Sequence, residues 1–206
     1  MNQKLKIATG IISLGLLATL VYKLTEVPGG MFLSGLFLGG MWIIIILIVG
    51  FFLTWLTKLI LKKPSFWTIY FTVLAIAFTF FHYRLYSPTL TIIVPENYTG
   101  EINLVKSNLT ENSLIVDTNG IGYLNEWTFE KVYTEPIVVD INGKNMSAQC
   151  VGYNPSKFFS LKRFSSSEIP YDIKSLSFSI FPDNKIGDKY FYGTDLAEFV
   201  DLEKIK

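Results

Sequence analysis

Three long apolar stretches near the start of this chain restrict its fold more than any other feature. In the longest, residues 31–61, Lys58 is the only charged residue. As one helix this stretch would measure about 46 Å, more than the ~30 Å hydrocarbon layer of a bilayer requires. We therefore expect it to cross a membrane over residues 36–56, and the flanking stretches to cross over about 7–24 and 65–86. The lipid bilayer is then the first partner of the chain.

The first stretch has a second interpretation. A basic start followed by an apolar run is also typical of a cleaved signal peptide. The residues before Lys23, LLATLVY, are bulky and do not form the small-x-small pattern of a cleavage site. We expect an uncleaved helix, and cleavage stays open as the alternative.

Gly35 and Gly39 stand one helical turn apart near the start of the second stretch. Small residues at this spacing let two helices approach closely in lipid. The pair predicts either packing against another helix of the same chain or a homo-oligomer contact between transmembrane helices. The sequence leaves the oligomeric state open.

Basic residues are concentrated on one side of the predicted spans. Loops rich in lysine and arginine stay in the cytoplasm, so we expect the N-terminus and the second loop there, and the residues after the third span on the opposite, extracytoplasmic side. This pattern predicts a multi-pass membrane protein, and we expect the membrane to be a bacterial inner (plasma) membrane. The lysines are Lys4 and Lys6 in the tail and Lys58, Lys62 and Lys63 around the second loop, against Lys23 in the first loop.

The composition changes abruptly at Ser87-Pro88. The chain as a whole is 50% hydrophobic and 17% charged, and most of the charged residues follow this point. We therefore predict a membrane domain, 1–87, and an extracytoplasmic domain, 88–206. The net charge of +1 does not indicate a nucleic-acid partner.

Beyond the break, apolar and polar residues alternate as they do in half-buried strands. Many short strands separated by turn residues predict an antiparallel β-sandwich of the transthyretin or immunoglobulin type, with a short C-terminal helix. The predicted fold class is thus membrane α plus β. The residues expected to share apolar faces are Leu90, Ile92, Val94, Ile102, Leu104, Ile137, Val139, Ile141, Met146, Ala148, Cys150, Leu176, Phe178 and Ile180.

Two predicted turns have the sequence Asp-x-Asn-Gly, at 117–120 and 140–143. Asn-Gly tolerates the positive φ of a two-residue hairpin turn, so both predict tight hairpins. Each aspartate is expected to accept hydrogen bonds from nearby backbone N–H groups and so to stabilise its turn.

Three short motifs carry a family resemblance. VPENYTGEINLV, residues 94–105, is similar to an uncharacterised bacterial envelope β-sandwich family in which Pro-x-x-Tyr-x-Gly joins two strands. The tail KYFYGTDLAEFVDLEK, residues 189–204, resembles the way that family closes, and DTNGIGYL, residues 117–124, resembles a turn of transthyretin-like or carboxypeptidase-regulatory-like sandwiches. The resemblance implies a sandwich fold and brings no known activity.

The residues available for chemistry are few in the second domain. His82 is the only histidine of the chain and precedes this domain, which excludes Ser-His and Cys-His pairs and histidine-metal sites from it. Cys150, the single cysteine, is predicted to be a buried, inert thiol. We therefore predict no enzymatic activity, no catalytic residues, no cofactor and no metal.

The segment KFFSLKRFSSSEIPY, residues 157–171, clusters aromatic and basic side chains. One interpretation is a strand that contributes its rings to the core. The other is an exposed surface that touches a partner or the membrane. The candidate contact residues are Lys157, Phe158, Phe159, Lys162, Arg163 and Phe164.

Together these patterns predict a membrane-anchored, extracytoplasmic interaction module that binds a protein or envelope partner without catalysis. The alternative is a small multispan subunit of a transporter or secretion assembly, in which the helices carry the function. Polar residues within the spans would favour that alternative, and the predicted spans contain serine, threonine and glycine but no acidic residue.

Overall fold

The computed structural model describes residues 3–27, 33–152, 158–166, 169–182 and 196–205. The chain divides into two compact units, 1–86 and 87–206. Each unit has apolar core clusters of its own.

The first unit contains three helices, α1 (Gln3–Glu26), α2 (Gly35–Ile60) and α3 (Phe66–Arg84). All three are long and apolar enough to cross a membrane, as the sequence predicts. The side chains of Ser34 and Ser65 each accept a hydrogen bond from a backbone N–H in the first turn of the following helix, which explains where α2 and α3 begin.

Helices α1 and α3 run side by side in the same direction. Gly10 faces Phe71 near their starts, and the Lys23 ammonium lies over the Tyr86 ring near their ends. Between these contacts, the His82 Nε2 atom lies 3.1 Å from both the Thr19 hydroxyl and the Leu16 carbonyl oxygen. His82 thus joins two helices.

The glycine pair of α2 lies against the preceding part of the same chain. Gly39 faces Leu24, and a Cβ at Gly39 would overlap the Leu24 side chain. A Cβ at Gly35 would overlap the carbonyl oxygen of Val27. The structure therefore shows the intrachain packing, one of the two arrangements predicted for this motif.

The second unit is a mixed α/β arrangement of short elements. Among the described residues, five strands form one sheet and two form another. The elements are β1 (Thr91–Val94), β2 (Gly100–Ser107), β3 (Ile121–Asn125), α4 (Glu126–Lys131), β4 (Ile137–Asp140), β5 (Cys150–Val151), β6 (Ser160–Ser166), β7 (Ile169–Ile180) and α5 (Leu196–Phe199), with 3₁₀ turns at Ser147–Gln149 and Leu202–Lys204.

The pairing of these strands is not purely antiparallel, so that part of the fold prediction is wrong. β1 pairs with β4 in parallel, and β2 pairs with β3 in parallel. The long strand β7 runs antiparallel to β2, β5 and β6. Parallel neighbours require a long connection, and the thirteen residues 108–120 between β2 and β3 supply one.

The main core lies between side chains of both sheets. Ile92 and Val138 come from the two-stranded sheet, and Ile102, Leu104 and Phe178 come from the five-stranded sheet. A second cluster covers the opposite face of the larger sheet at one end. It consists of Val105, Ile121, Tyr123, Ile173, Leu196 and Val200, so the short C-terminal helix α5 packs on this sheet.

In strand β4 the core is faced by Val138 and Asp140, and not by Ile137, Val139 and Ile141 as predicted. Val138 and Asp140 are buried, whereas Ile137 and Ile141 are exposed. Asp140 is satisfied inside because its carboxylate accepts hydrogen bonds from the backbone N–H groups of Asn142 and Lys144. A buried carboxylate that receives such bonds costs far less than an unpaired one.

The strand predicted around Met146 and Cys150 is also only partly formed. Residues 147–149 form a 3₁₀ turn, Ala148 is exposed and only Met146 is fully buried. Strand β5 begins at Cys150. The turn at 140–143 reverses the chain after β4, so that Met146 lies beside Val138. The Met146 N–H donates a hydrogen bond to the Val138 carbonyl at 2.8 Å.

Both Asp-x-Asn-Gly turns form and are constructed alike. In each, the aspartate carboxylate accepts two backbone N–H groups and glycine takes a φ near +80°. The asparagines keep negative φ, so the turns are type I turns closed by a glycine bulge and not the two-residue form that was predicted.

Candidate partner-binding surface

Strand β6 carries three of the six contact residues proposed from the sequence, and Phe158 and Phe159 immediately precede it. The Phe158 and Phe159 rings pack against Phe178, with centroids 5.4 and 5.8 Å away. The Phe164 ring packs against the second apolar cluster. These three rings therefore contribute to the apolar clusters, and of the three Phe164 lies on a strand. Lys157 lies outside the described residues.

The basic residues of β6 have two different environments. Lys162 forms an ion pair with Glu101, whose side chain is only 2% exposed. Arg163 is 61% exposed, and its Nε lies 3.7 Å from an Asp172 carboxylate oxygen. Of the predicted contact residues that the structure describes, Arg163 is thus the most accessible.

A different apolar surface lies on the outer side of the two-stranded sheet. In β1 and β4, every second side chain points into the core, and Ile93, Ile137 and Val139 point away from it. Ile93 is in register with Val139 on one side and with Ile115 on the other. This arrangement places Ile115, Ile93 and Val139 in one row across three neighbouring segments. We call this row, together with Ile137 and Ile141, the isoleucine face.

Three of the five side chains of the isoleucine face are exposed, and Ile93 and Val139 are half-buried. Ile115 is 67% exposed, Ile141 70% and Ile137 44%. Large β-branched side chains grouped on an outer sheet face are unfavourable in water and mark interaction surfaces on soluble domains. Ile93, Ile137 and Val139 are strand residues, and Ile115 forms a bridge with Ile93. Ile141 lies in the hydrogen-bonded turn after β4, so a partner would meet a backbone that is already ordered.

This surface was not recognised in the sequence because PIVVD, residues 136–140, is apolar at consecutive positions. A continuous apolar run does not show which of its two faces is covered. A usable signal was present in the Asp-x-Asn-Gly turn that follows. Its aspartate must turn towards the backbone of the turn, which sets the direction of Asp140 and hence of Val138.

The described residues offer little for covalent chemistry. None of them forms a group of three or more His, Cys, Asp or Glu side chains suited to a metal ion. Burial, with a smaller contribution from Glu135, raises the pKa of the Cys150 thiol to about 12, so that it is protonated and unreactive at neutral pH.

Comparison with known proteins does not assign the chain to a family. No protein-family profile and no curated protein sequence matches the chain. Among solved structures, a protein from Bacillus anthracis whose description as a lipoprotein is provisional aligns with 52% of this chain and 82% of its own, at 14% identity and a TM-score of 0.30.

Proposed function

We propose that this protein is a membrane-anchored interaction module of a bacterial inner membrane. In this proposal the three helices hold residues 87–206 on the extracytoplasmic side, and the domain, related to envelope β-sandwich families, binds a protein partner without catalysis. The isoleucine face is the contact surface. The one observation that carries the proposal is the isoleucine face, in which Ile115, Ile137 and Ile141 are exposed apolar side chains beside the half-buried Ile93 and Val139.

Two further features support this proposal. The uneven lysine distribution favours a cytoplasmic N-terminus and, with three crossings, an extracytoplasmic domain. A surface of ordered isoleucine side chains supplies apolar area without loss of side-chain freedom on binding, because β-branched residues are already restricted at χ1.

Site-specific photocrosslinking tests the surface. A photoreactive phenylalanine analogue replaces Ile115 or Ile141 in the full chain, and intact source cells are irradiated. We expect one discrete adduct from both positions, identified by mass spectrometry. Leu161 is the matched control, because it is 63% exposed on a strand but lies outside the isoleucine face.

A charge substitution then separates binding from stability. Ile115→Lys is expected to abolish the adduct formed from position 141 and to leave the thermal melt unchanged, since the side chain is already in water. Equal adducts from Leu161 and Ile115 would contradict the proposed surface. Adducts confined to an outward position of α2, such as Trp42, would favour the alternative in which the helices carry the function.

Reporter fusions after Lys206 test the orientation. An enzyme that is active only outside the cytoplasm should be active there, and one that is active only inside should be silent. The reverse result would overturn the orientation and, with it, an extracytoplasmic partner.

A further inference from the structure

An open groove crosses the surface of the second unit, away from the isoleucine face. It consists of two adjoining cavities of about 640 Å³ each, which share Leu109 and Glu126 in their walls. Volumes of this size are typical of small-molecule and oligomer sites. One cavity extends to Asp172 and Lys174, and the other extends to Trp127. We call this feature the Trp127 groove.

Hydrogen bonds hold the groove in shape without a ligand. The Asn125 side chain accepts from the Thr128 N–H at 2.8 Å and donates to the Thr110 carbonyl at 3.1 Å. The Asn108 N–H donates to the Lys204 carbonyl at 3.0 Å, which fixes one segment of the lining. A site ordered in advance binds without losing conformational entropy.

The charges along the groove balance. Among the described residues, three lysines and three carboxylates line it, so neither sign dominates there. Lys106 is already neutralised, because its ammonium lies 2.8 Å from Glu126 and 3.0 Å from Glu130. A strongly charged ligand would need an excess of the opposite charge. The lining charges are Lys106, Lys131, Lys174, Glu126, Glu130 and Asp172.

The groove also offers a flat apolar surface. The Trp127 side chain is 48% exposed, and the partly buried Leu109 adds apolar area beside it. An indole presents a broad apolar face together with a polar N–H. Sugar rings have matching chemistry, since one face carries C–H groups while their hydroxyls reach carboxylates and ammonium groups at the edges.

We propose that the Trp127 groove binds a neutral oligosaccharide chain. The exposed indole stacks on a sugar ring, and Glu126, Asp172 and Lys174 bond to its hydroxyls. The open shape admits a chain that continues at both ends. This site is separate from the isoleucine face, and neither proposal depends on the other.

Calorimetry on the full chain in detergent tests this site with two neutral probes, chitohexaose and cellohexaose. We expect saturable binding of at least one of them, with a Kd of about 1 mM or tighter. Trp127→Ala should weaken binding at least about tenfold, and Trp127→Phe should restore part of it because a ring remains. Raising the salt concentration should leave binding of a neutral chain unchanged.

Two controls make the result decisive. Phe199→Ala removes an exposed aromatic residue outside the groove and should not alter binding. In a chain carrying Trp42, Trp55 and Trp67→Phe, Trp127 is the remaining tryptophan, and its emission should shift on titration. No saturable response to either saccharide, binding that persists in Trp127→Ala, or preferential binding of a hexapeptide of alternating lysine and glutamate would overturn the proposal.

Discussion

Gly120 and Gly143 hold the same place in two copies of one turn, yet their surroundings differ. Both have a φ near +80°. A Cβ at Gly120 would overlap the Glu101 carbonyl oxygen and the Tyr98 hydroxyl, whereas a Cβ at Gly143 would meet nothing within 4 Å. The Tyr98 hydroxyl donates a hydrogen bond to the Glu101 carbonyl at 2.7 Å. The absence of a side chain at Gly120 therefore lets the turn at 117–120 pack against Tyr98 and Glu101.

Alanine at these two positions separates backbone strain from steric overlap. Gly143→Ala should lower the free energy of unfolding by about 1 kcal/mol, the usual cost of positive φ in a residue with a Cβ. Gly120→Ala should cost at least about 2 kcal/mol more, because the overlap involves backbone. Denaturant unfolding of the full chain in detergent measures both. Equal losses would contradict the packing around Gly120.

Cys150 should be almost inert until the domain unfolds. Only the thiolate reacts with iodoacetamide, and the folded protein holds the pKa of this thiol near 12, against 9.0 when unperturbed. We expect slow alkylation at pH 8 that becomes fast in denaturant. Mass spectrometry gives the rate, and fast alkylation of the folded chain would contradict the burial.

The same pKa shift predicts a loss of stability in alkali. A raised pKa stabilises the fold fully below the unfolded value, and this contribution disappears as the pH rises from about 9 towards 12. Burial, Asp117 and Glu101 raise the pKa of Tyr98 to about 12. Its contribution to the unfolding free energy is likewise lost as the pH rises above about 10. The unfolding free energy of Cys150→Ala should therefore fall less steeply above pH 9 than that of the native chain.

At the scale of the elements, strand β6 pairs with β7 and is also linked to β2 by an ion pair whose carboxylate is buried. The Lys162 ammonium meets the Glu101 carboxylate, and the Asn103 amide donates to the other carboxylate oxygen at 3.4 Å. Lys162 therefore contributes to the attachment of β6 to the sheet, and we do not expect it to form a partner contact.

Removal of one charge from this pair should be costly. Lys162→Met leaves Glu101 buried without this partner and should lower the unfolding free energy by about 3 kcal/mol. Arg163→Ala is the matched control on the neighbouring residue, and loss of its exposed pair with Asp172 should cost less than about 1 kcal/mol. The double variant Glu101→Leu/Lys162→Met should recover part of the loss. Equal effects of Lys162→Met and Arg163→Ala would contradict a buried role for Lys162.

At the scale of the whole molecule, Ser87 belongs with the second unit. Its hydroxyl oxygen accepts hydrogen bonds from the Tyr133 and Thr134 N–H groups at 3.0 and 3.3 Å. It thereby ties the start of this unit to the segment before β4.

Residues 87–206 should fold without the helices. We expect a cooperative thermal transition and a circular dichroism spectrum dominated by strands, because the unit has its own core. A fragment starting at Pro88 should melt at a lower temperature, as the two N–H groups lose their acceptor. A helical spectrum or the absence of a transition would contradict an independent domain.

Local rules in the sequence predicted several features correctly. An uncharged run long enough to span a bilayer must form a helix, because its backbone groups have no other partner there. Likewise, Asp-x-Asn-Gly predicts a tight turn wherever it occurs, since the side chain and the glycine act on their own backbone. These features depend on residues close in the chain.

Tertiary structure decided which of the apolar surfaces are covered. Apart from the turn signal at Asp140, the consecutive apolar residues Ile137–Val139 are compatible with either face in the core, and the pairing with β1 placed Val138 inside and the isoleucine face outside. Phe158 and Phe159 became core residues because β7 brings Phe178 to them, although these rings and Phe178 are about twenty residues apart in the chain. Burial depends on neighbours in space, and the residue pattern along one strand does not identify those neighbours.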